Sequence, residues 1–564
     1  MPILLAGFSH VKALLDAERE VWALVQLPSA AWEEQCKVVL DRRLDIWEEL
    51  FRDLFMAQAK QIISRKLASL DVSAVLEESI AQEVTIDIST FIWSCEGDAE
   101  SIEVTKNKAN AVTGPTRAVV DALDAQLAAF SKDIELLFEV EEEGRGRGSA
   151  SPLRYSSPRK IGQVTSRRRN VAELRQFVQE SCHRAVDSLV RGLGARIGAL
   201  FSSVSPLESG GEKAKGGGAG GAPAAAAVQS AVFLGRLSRA LVSTSTELSR
   251  ILAPASSPSG RLALSRLSSL LPLRQQAKQN PLKEALAAQG ALQYNVAHVM
   301  WAHRTSAALL AALERSLLAD NFRDPTVRRR VWEEHSVTVE ADGDAEAKET
   351  MLLPYQASAY VTRMLFDACT ELNRVGAHTI QELVVRYLAQ LLTLGLLRTY
   401  RAFVTDRAEG DFCKEGVMQL VFDLRVLFDV LSARYSSPDA WPEALHQAVT
   451  TAREADGGVG GDVDFVSDQA QQVKALVLQV KQQMDPIDLA FYEPLLEKFT
   501  TKCYQRSAVT YGFFTQYSTA YSHTKASTSL QEKHNIITLV APVARFPLLP
   551  MSSRSSMLNS PNRR

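Results

Sequence analysis

Apolar residues recur at intervals of three and four along most of this chain, the spacing that lines up one side of a helix. From Ile46 they run Ile46, Trp47, Leu50, Phe51, Leu54, Phe55, Ala59, Ile62 and Ile63, while Glu48, Arg52, Asp53 and Lys60 fall off that stripe. A second stripe follows Val361, Leu365, Ala368, Leu372 and Val375. A third follows Leu420, Val421, Leu424, Leu427, Phe428 and Leu431, with Asp423, Arg425 and Asp429 predicted to turn outward. Strand-like alternation appears at Val84–Ile92 and Ser336–Glu340. Two isolated short segments cannot build a sheet-based domain, so the fold class is all-α.

Two junctions can be read closely. After Val375, Gly376 can take the left-handed conformation that ends a helix. Thr379 stands three residues before Glu382, the spacing of a capping box, so a new helix is expected there. The following Leu383–Leu397 stretch is apolar nearly all round and should be buried among other helices. Asp485-Pro486 predicts another helix start, with Asp485 as the cap and Pro486 at the first position, where no N–H is needed. Pro494 is expected to start the next helix.

Breaks in the pattern divide the chain. Residues 1–138 read as a helical bundle segment and 139–170 as a disordered Ser/Pro/Arg insertion. Residues 171–206 are helical, 207–227 a Gly/Ala-rich linker and 228–350 a helical rod segment. A bundle at 351–455 is followed by a Gly-rich loop at 456–463 and C-terminal helices at 464–516. The remainder reads as a polar linker (517–533), an extended apolar segment (534–550) and a disordered tail (551–564). No internal repeat of fixed period is present, which weighs against the common helical solenoids.

Composition narrows the classes. The 564 residues are 46% hydrophobic with a formal net charge of −2, enough apolar material for a core and no excess of cations for nucleic acid. The basic runs Arg167–Arg169 and Arg328–Arg330 read as solvated surface. Six cysteines lie more than forty residues apart, without zinc or redox spacing, which suits a reducing cytosolic setting. The start lacks a basic lead, so no secretory signal is expected. Leu383–Leu397 is cut by Arg386 and falls short of the ~20 apolar residues a membrane span needs. Any membrane contact should be peripheral.

No residue pattern in the sequence marks a catalytic, cofactor or metal site. Gly216, Gly218 and Gly221 match G-x-G-x-x-G only inside a low-complexity tract with no preceding strand. His298 and His303 are five apart, on different sides of a helix. Glu333, Glu334 and His335 are adjacent and point different ways, and Cys182 beside His183 says nothing of a nucleophile and its base. Trp47, Trp301 and Trp332 belong to packing. One segment is unusual: Pro542, Pro547 and Pro550 forbid a regular helix, yet Ile536, Leu539, Phe546, Leu548 and Leu549 are strongly apolar and need cover. These five are the candidate docking residues, on this chain's own bundle or on a partner.

Four stretches, in order, resemble one family. They are "MLLPYQASAYVTRMLFDACTELNRVGAHT" (351–379), "MQLVFDLRVLFDVL" (418–431), "DPIDLAFYEPLLEKFTTKCYQRSAVTYGF" (485–513) and "HNIITLVAPVARFPLLP" (534–550). "IWEELFRDLFMAQAKQI" (46–62) and "VWEEHSVTVE" (331–340) add weaker likeness. Together they are similar to subunit 1 of the conserved oligomeric Golgi complex, a family of helical-rod vesicle tethers. The resemblance implies elongated stacked helical bundles and no enzymatic activity. It also implies peripheral residence on the cytosolic face of Golgi membranes and a role in retrograde intra-Golgi transport, on which Golgi organisation and glycosylation depend. Implied partners are sister subunits of the complex, Golgi SNAREs, Rab GTPases and coiled-coil tethers. The family's N-terminal helical segment has no counterpart here, so a fragment or incomplete gene model is expected. Two other readings compete: a helical adaptor of another tethering or trafficking complex, and an enzyme whose site gathers scattered polar residues. The first is favoured if the matched stretches fall in unrelated places, the second if ionisable groups converge in a pocket.

Overall fold

Asn280 and Asp485 show how helix starts are written into this chain. Each side chain accepts a hydrogen bond from the backbone N–H two residues on (Leu282, 3.0 Å; Ile487, 2.8 Å), and each is followed by proline at the first helical position. The computed structural model describes residues 7–25, 37–39, 41–42, 45, 47–93, 107–138, 158–203, 221–253, 280–324, 332–340, 346–407, 412–432, 443–455 and 469–515. The five candidate docking residues at 536–549 and the basic run at 328–330 lie outside the described residues.

The described chain is all-α, an elongated bundle with one small hairpin. Helix α1 (Val11–Val25) is followed by a π turn at Trp47–Phe51, then α2 (Arg52–Ala68), α3 (Ser73–Glu83), α4 (Ile88–Trp93) and α5 (Gly114–Phe138). Next come α6 (Pro158–Ser203), α7 (Gly221–Thr244), the short α8 (Thr246–Ile251) and α9 (Pro281–Ala319). Strands β1 (Glu333–Glu340) and β2 (Glu346–Leu353) pair antiparallel, Glu333 opposite Leu353 and Glu340 opposite Glu346. The last part holds α10 (Ala359–Val375), α11 (Glu382–Thr405), α12 (Lys414–Ser432), α13 (Glu443–Ala455), α14 (Gln469–Lys481) and α15 (Pro486–Ser507).

Helix α9 is the spine, packing against α6, α7, α10, α11 and α13. Glycines bring it close to α7. A Cβ on Gly235 would lie 2.7 Å from the Ala297 Cβ, and one on Gly290 would lie 2.7 Å from the Ser238 carbonyl oxygen. One continuous apolar core runs from Val11 to Phe514, so the two halves of the described chain share it.

Several expectations are corrected. Val84–Ile92 is no strand: Thr85 to Asp87 turn the chain into α4. The polar residues that made the alternation are a cap, with Asp87 accepting from the Ser89 N–H (3.0 Å) and hydroxyl (2.7 Å) and from the Thr90 hydroxyl (2.8 Å). Ile88 and Ile92, one turn apart, face a small separate cluster with Ala111. Leu50 is exposed, because the π turn breaks the regular α-helical phase and swings it off the buried stripe.

Gly376 has φ 178°, extended rather than left-handed. Its bareness matters for space, since a Cβ would sit 2.9 Å from Ile380 Cγ1. Thr379 closes a 3-10 turn at Ala377–Thr379, donating to the Gly376 carbonyl (2.6 Å), and the residue before α11 is Gln381, without a side-chain cap. Pro494 lies inside α15, where the backbone bond it cannot donate is outweighed by packing of Leu496 and Phe499. Helix also begins at Pro158 and Gly221, upstream of the sequence boundaries at 171 and 228.

Candidate interaction site

The first and second matched stretches frame a buried polar knot on α12. Leu420, Val421, Leu424, Leu427, Phe428 and Leu431 are all buried, as their spacing predicts. Asp423 is not turned outward: it is 0% exposed. Its carboxylate accepts from the Ser358 N–H (2.8 Å), the Gln419 side-chain amide (2.9 Å) and the Tyr360 hydroxyl (3.1 Å). Gln419 in turn accepts from the Trp332 indole N–H at 2.9 Å. Burial pushes the Asp423 carboxyl above its ordinary range, and the hydrogen bonds pull the other way. The knot ties the base of the hairpin and the first turn of α10 to α12.

The same end of the molecule receives α15. Lys414 pairs with Asp488 (2.7 Å) and Arg425 with Glu493 (2.9 Å), and Lys481 also reaches Glu493. The Lys481 hydrogen bond is the main reason the Glu493 carboxyl lies below its ordinary range. Tyr511 donates to the Thr362 carbonyl (3.4 Å), and Arg506 lies over the Tyr355 ring at 5.7 Å. The stretches at 351–379, 418–431 and 485–513 therefore meet in one place, and Trp332 joins them from the weaker stretch. Beyond this contact, α15 and α14 carry exposed apolar side chains: Ile487 (82% exposed), Phe491 and Leu478.

A second polar feature lies where α5, α7 and α9 meet the turn at 376–380: a cleft of about 620 Å³. Arg117, Asp121 and Asp124 repeat along one face of α5, as do Arg236 and Arg239 on α7 and Tyr294 and His298 on α9. Arg236 is 7% exposed, and its Nη2 donates to Glu83, itself fully buried, at 2.9 Å. Thr113 gives Glu83 a second hydrogen bond at 2.6 Å. Burial lowers the Arg236 pKa despite that partner. His298 stacks on Tyr294 at 3.9 Å with Nδ1 2.7 Å from the Tyr294 carbonyl oxygen, and burial pushes its pKa down to about 3, so it is neutral.

The residues weighed for chemistry stand apart. His303 Nε2 is 2.7 Å from the Tyr387 hydroxyl, on a different contact from His298. Cys182 is fully buried and its thiol is pushed up to about 12, the opposite of an activated nucleophile. Trp47, Trp301 and Trp332 are core residues. Glu333 and Glu334 follow one another on β1, so their side chains alternate in direction. Gly221 opens α7, whereas Gly216 and Gly218 lie outside the described residues. Among the described residues no group of three or more His, Cys, Asp or Glu side chains is placed to hold a metal, and no helix is long and apolar enough to cross a membrane. Sequence reasoning missed Asp423, Glu83 and Arg236. A signal for the first existed: Gln419 and Asp423 are one turn apart and interrupt an otherwise apolar run from Val417 to Leu424.

No family model matches the chain, and no solved structure matches it significantly. Curated relatives do. The chain is 22% identical over 98% of its length to the human protein "Conserved oligomeric Golgi complex subunit 1" and 23% identical over 98% to the mouse protein of that name. The Dictyostelium discoideum protein of that name is 18% identical over 39% of the chain. The alignments take in 56% of the human and mouse proteins, so the chain spans about half the length of the curated relatives it matches. Near-complete coverage of this sequence, with three of the matched stretches gathered at one junction, makes the chain similar along almost its whole length to the conserved oligomeric Golgi complex subunit 1 family.

Proposed function

We infer that this chain serves as a non-enzymatic subunit of a Golgi vesicle-tethering complex. The observation that carries the reading is alignment to subunit 1 relatives along 98% of the chain. The fold suits such a role, because helices satisfy their own backbone hydrogen bonds while extending about 1.5 Å per residue, which gives reach. The test is affinity purification of the tagged chain from its own cells, followed by mass spectrometry. Recovery of the sister subunits in near-equal amounts is expected, and their absence overturns the reading.

The finer role proposed here rests on the same likeness. The complex acts in retrograde intra-Golgi transport from the cytosolic face of the membrane, held there peripherally, and so sustains Golgi organisation and glycosylation. Golgi SNAREs, Rab GTPases and coiled-coil tethers are its further partners. Ile536, Leu539, Phe546, Leu548 and Leu549 form a docking segment, either on this chain's own bundle or on a sister subunit. Deleting 534–550 separates the two: lost thermal stability marks the first, lost subunit recovery the second. No change in either refutes both.

A further inference from the structure

The cleft between α5, α7 and α9 is lined by Arg236, whose guanidinium keeps hydrogen-bonding capacity unused among the described residues. Its acids are already engaged. Arg117 Nε meets both oxygens of Asp121 (3.2 and 3.3 Å), and Asp124 accepts from the Thr246 N–H and hydroxyl (3.0 Å each) and from the Ser245 hydroxyl. Two of its cations, Arg236 and Arg239, are engaged only in part. Arg236 uses Nη2 on Glu83, while Nε and Nη1, both buried, have no hydrogen-bond partner among the described residues. Arg239, one turn on, lies 5.3 Å over the Tyr294 ring at the exposed rim and has no ion pair among the described residues. A buried guanidinium with idle donors is costly, and a carboxylate oxygen supplies the acceptors they lack.

We propose that this cleft binds the carboxylate of a glutamate or aspartate side chain on a partner peptide. Arg239 makes first contact at the rim, and Arg236 takes the carboxylate at the closed end, where exclusion of water strengthens the bond. Two features favour a singly charged peptide over a polyphosphorylated ligand. Asp121 and Asp124 stand on the same walls and repel dense negative charge. Val112, Val120 and Ile380 offer apolar cover to residues flanking the acid, which a free headgroup would leave unused.

The site deepens the tethering role by giving the chain an acidic segment of a partner to hold, and its test involves no other subunit, so either reading can fail alone. The full chain is mixed with the probe acetyl-Leu-Glu-Val-amide, and binding is read by saturation-transfer difference NMR. Saturable transfer is expected, at least about tenfold weaker for the Gln version of the probe, because a neutral amide forfeits the charge-assisted bonds. Arg239→Ala, at an exposed position that spares the fold, should weaken the Glu probe by about tenfold as well. Arg236→Gln should abolish binding, and its melting curve is recorded beside it. If it unfolds, the Arg239→Ala result decides. Equal transfer from Glu and Gln probes, binding indifferent to Arg239→Ala, no saturable transfer, or displacement by orthophosphate below the probe's own concentration overturns the proposal.

Discussion

Asp423 and the Glu83–Arg236 pair are both buried charged features, and they are closed in opposite ways. Asp423 is a single carboxylate whose oxygens are met by three neutral donors, two from the start of α10 and one from its own helix. Glu83 and Arg236 neutralise each other, yet two donors of the guanidinium have no partner among the described residues, beside a cleft. Complete closure fixes a junction. Incomplete closure leaves a site able to take a ligand. Charge alone does not distinguish the two cases; the count of satisfied hydrogen bonds does.

The strongest way to break the comparison is to remove one member of the pair. Glu83→Ala should destabilise the protein by about 3–5 kcal/mol, because Arg236 is left charged and buried with no counter-ion. Replacing both by leucine should come within about 1 kcal/mol of neutral, since neither desolvation cost then remains. Urea midpoints of the single and double variants measure this, and equal losses in both would show that the pair is not coupled. Asp423→Ala should cost less, about 2–3 kcal/mol, by orphaning the Ser358, Tyr360 and Gln419 donors. It should also loosen the hairpin base, seen as faster hydrogen exchange at residues 351–360.

The pH dependence sharpens the contrast. The Asp423 carboxyl lies above its ordinary 3.8, so folding favours its protonated form. Its contribution is most favourable below that value and declines as pH rises through the folded-state pKa. Glu493 lies below its ordinary 4.5, so its contribution is full above that value and is lost as pH falls through the folded-state pKa. Urea midpoints between about pH 3 and pH 7 should therefore lose a component that declines with pH in Asp423→Asn, and show a shallower acid loss in Glu493→Gln. The second effect should stay below about 1 kcal/mol, since Glu493 is partly solvated. Parallel curves for Asp423→Asn and the parent would remove the carboxylate from the account. The smallest effect is expected at Ile487→Ser, within about 0.5 kcal/mol by the same midpoints, because that side chain packs on little.

Much of the fold was legible because helices are written locally. The stripes of α10 and α12, the Asp485-Pro486 start of α15 and the burial of Leu383–Leu397 follow from residues within a few positions of each other. The candidate sites were less so. Asp423 broke the outward expectation because a polar residue on a helix can be buried wherever another segment brings donors to it. Arg236 carries no local sign of burial, because its counter-ion Glu83 lies 153 residues away in sequence. Gly376 and Thr379 carried the letters of a cap, but crowding by Ile380 chose a different turn.

The all-α class, the positions of the main helices and the ordered stretches that resemble the subunit 1 family are all set by the sequence alone. Periodicity and capping act over a single turn, within reach of any reader of adjacent residues. Tertiary structure decided that three of those stretches gather around Asp423, that Pro494 stays inside a helix, and that Arg236 keeps idle donors beside a cleft. Those outcomes depend on which helices meet, and a buried polar group takes its character from the partners brought to it across the fold.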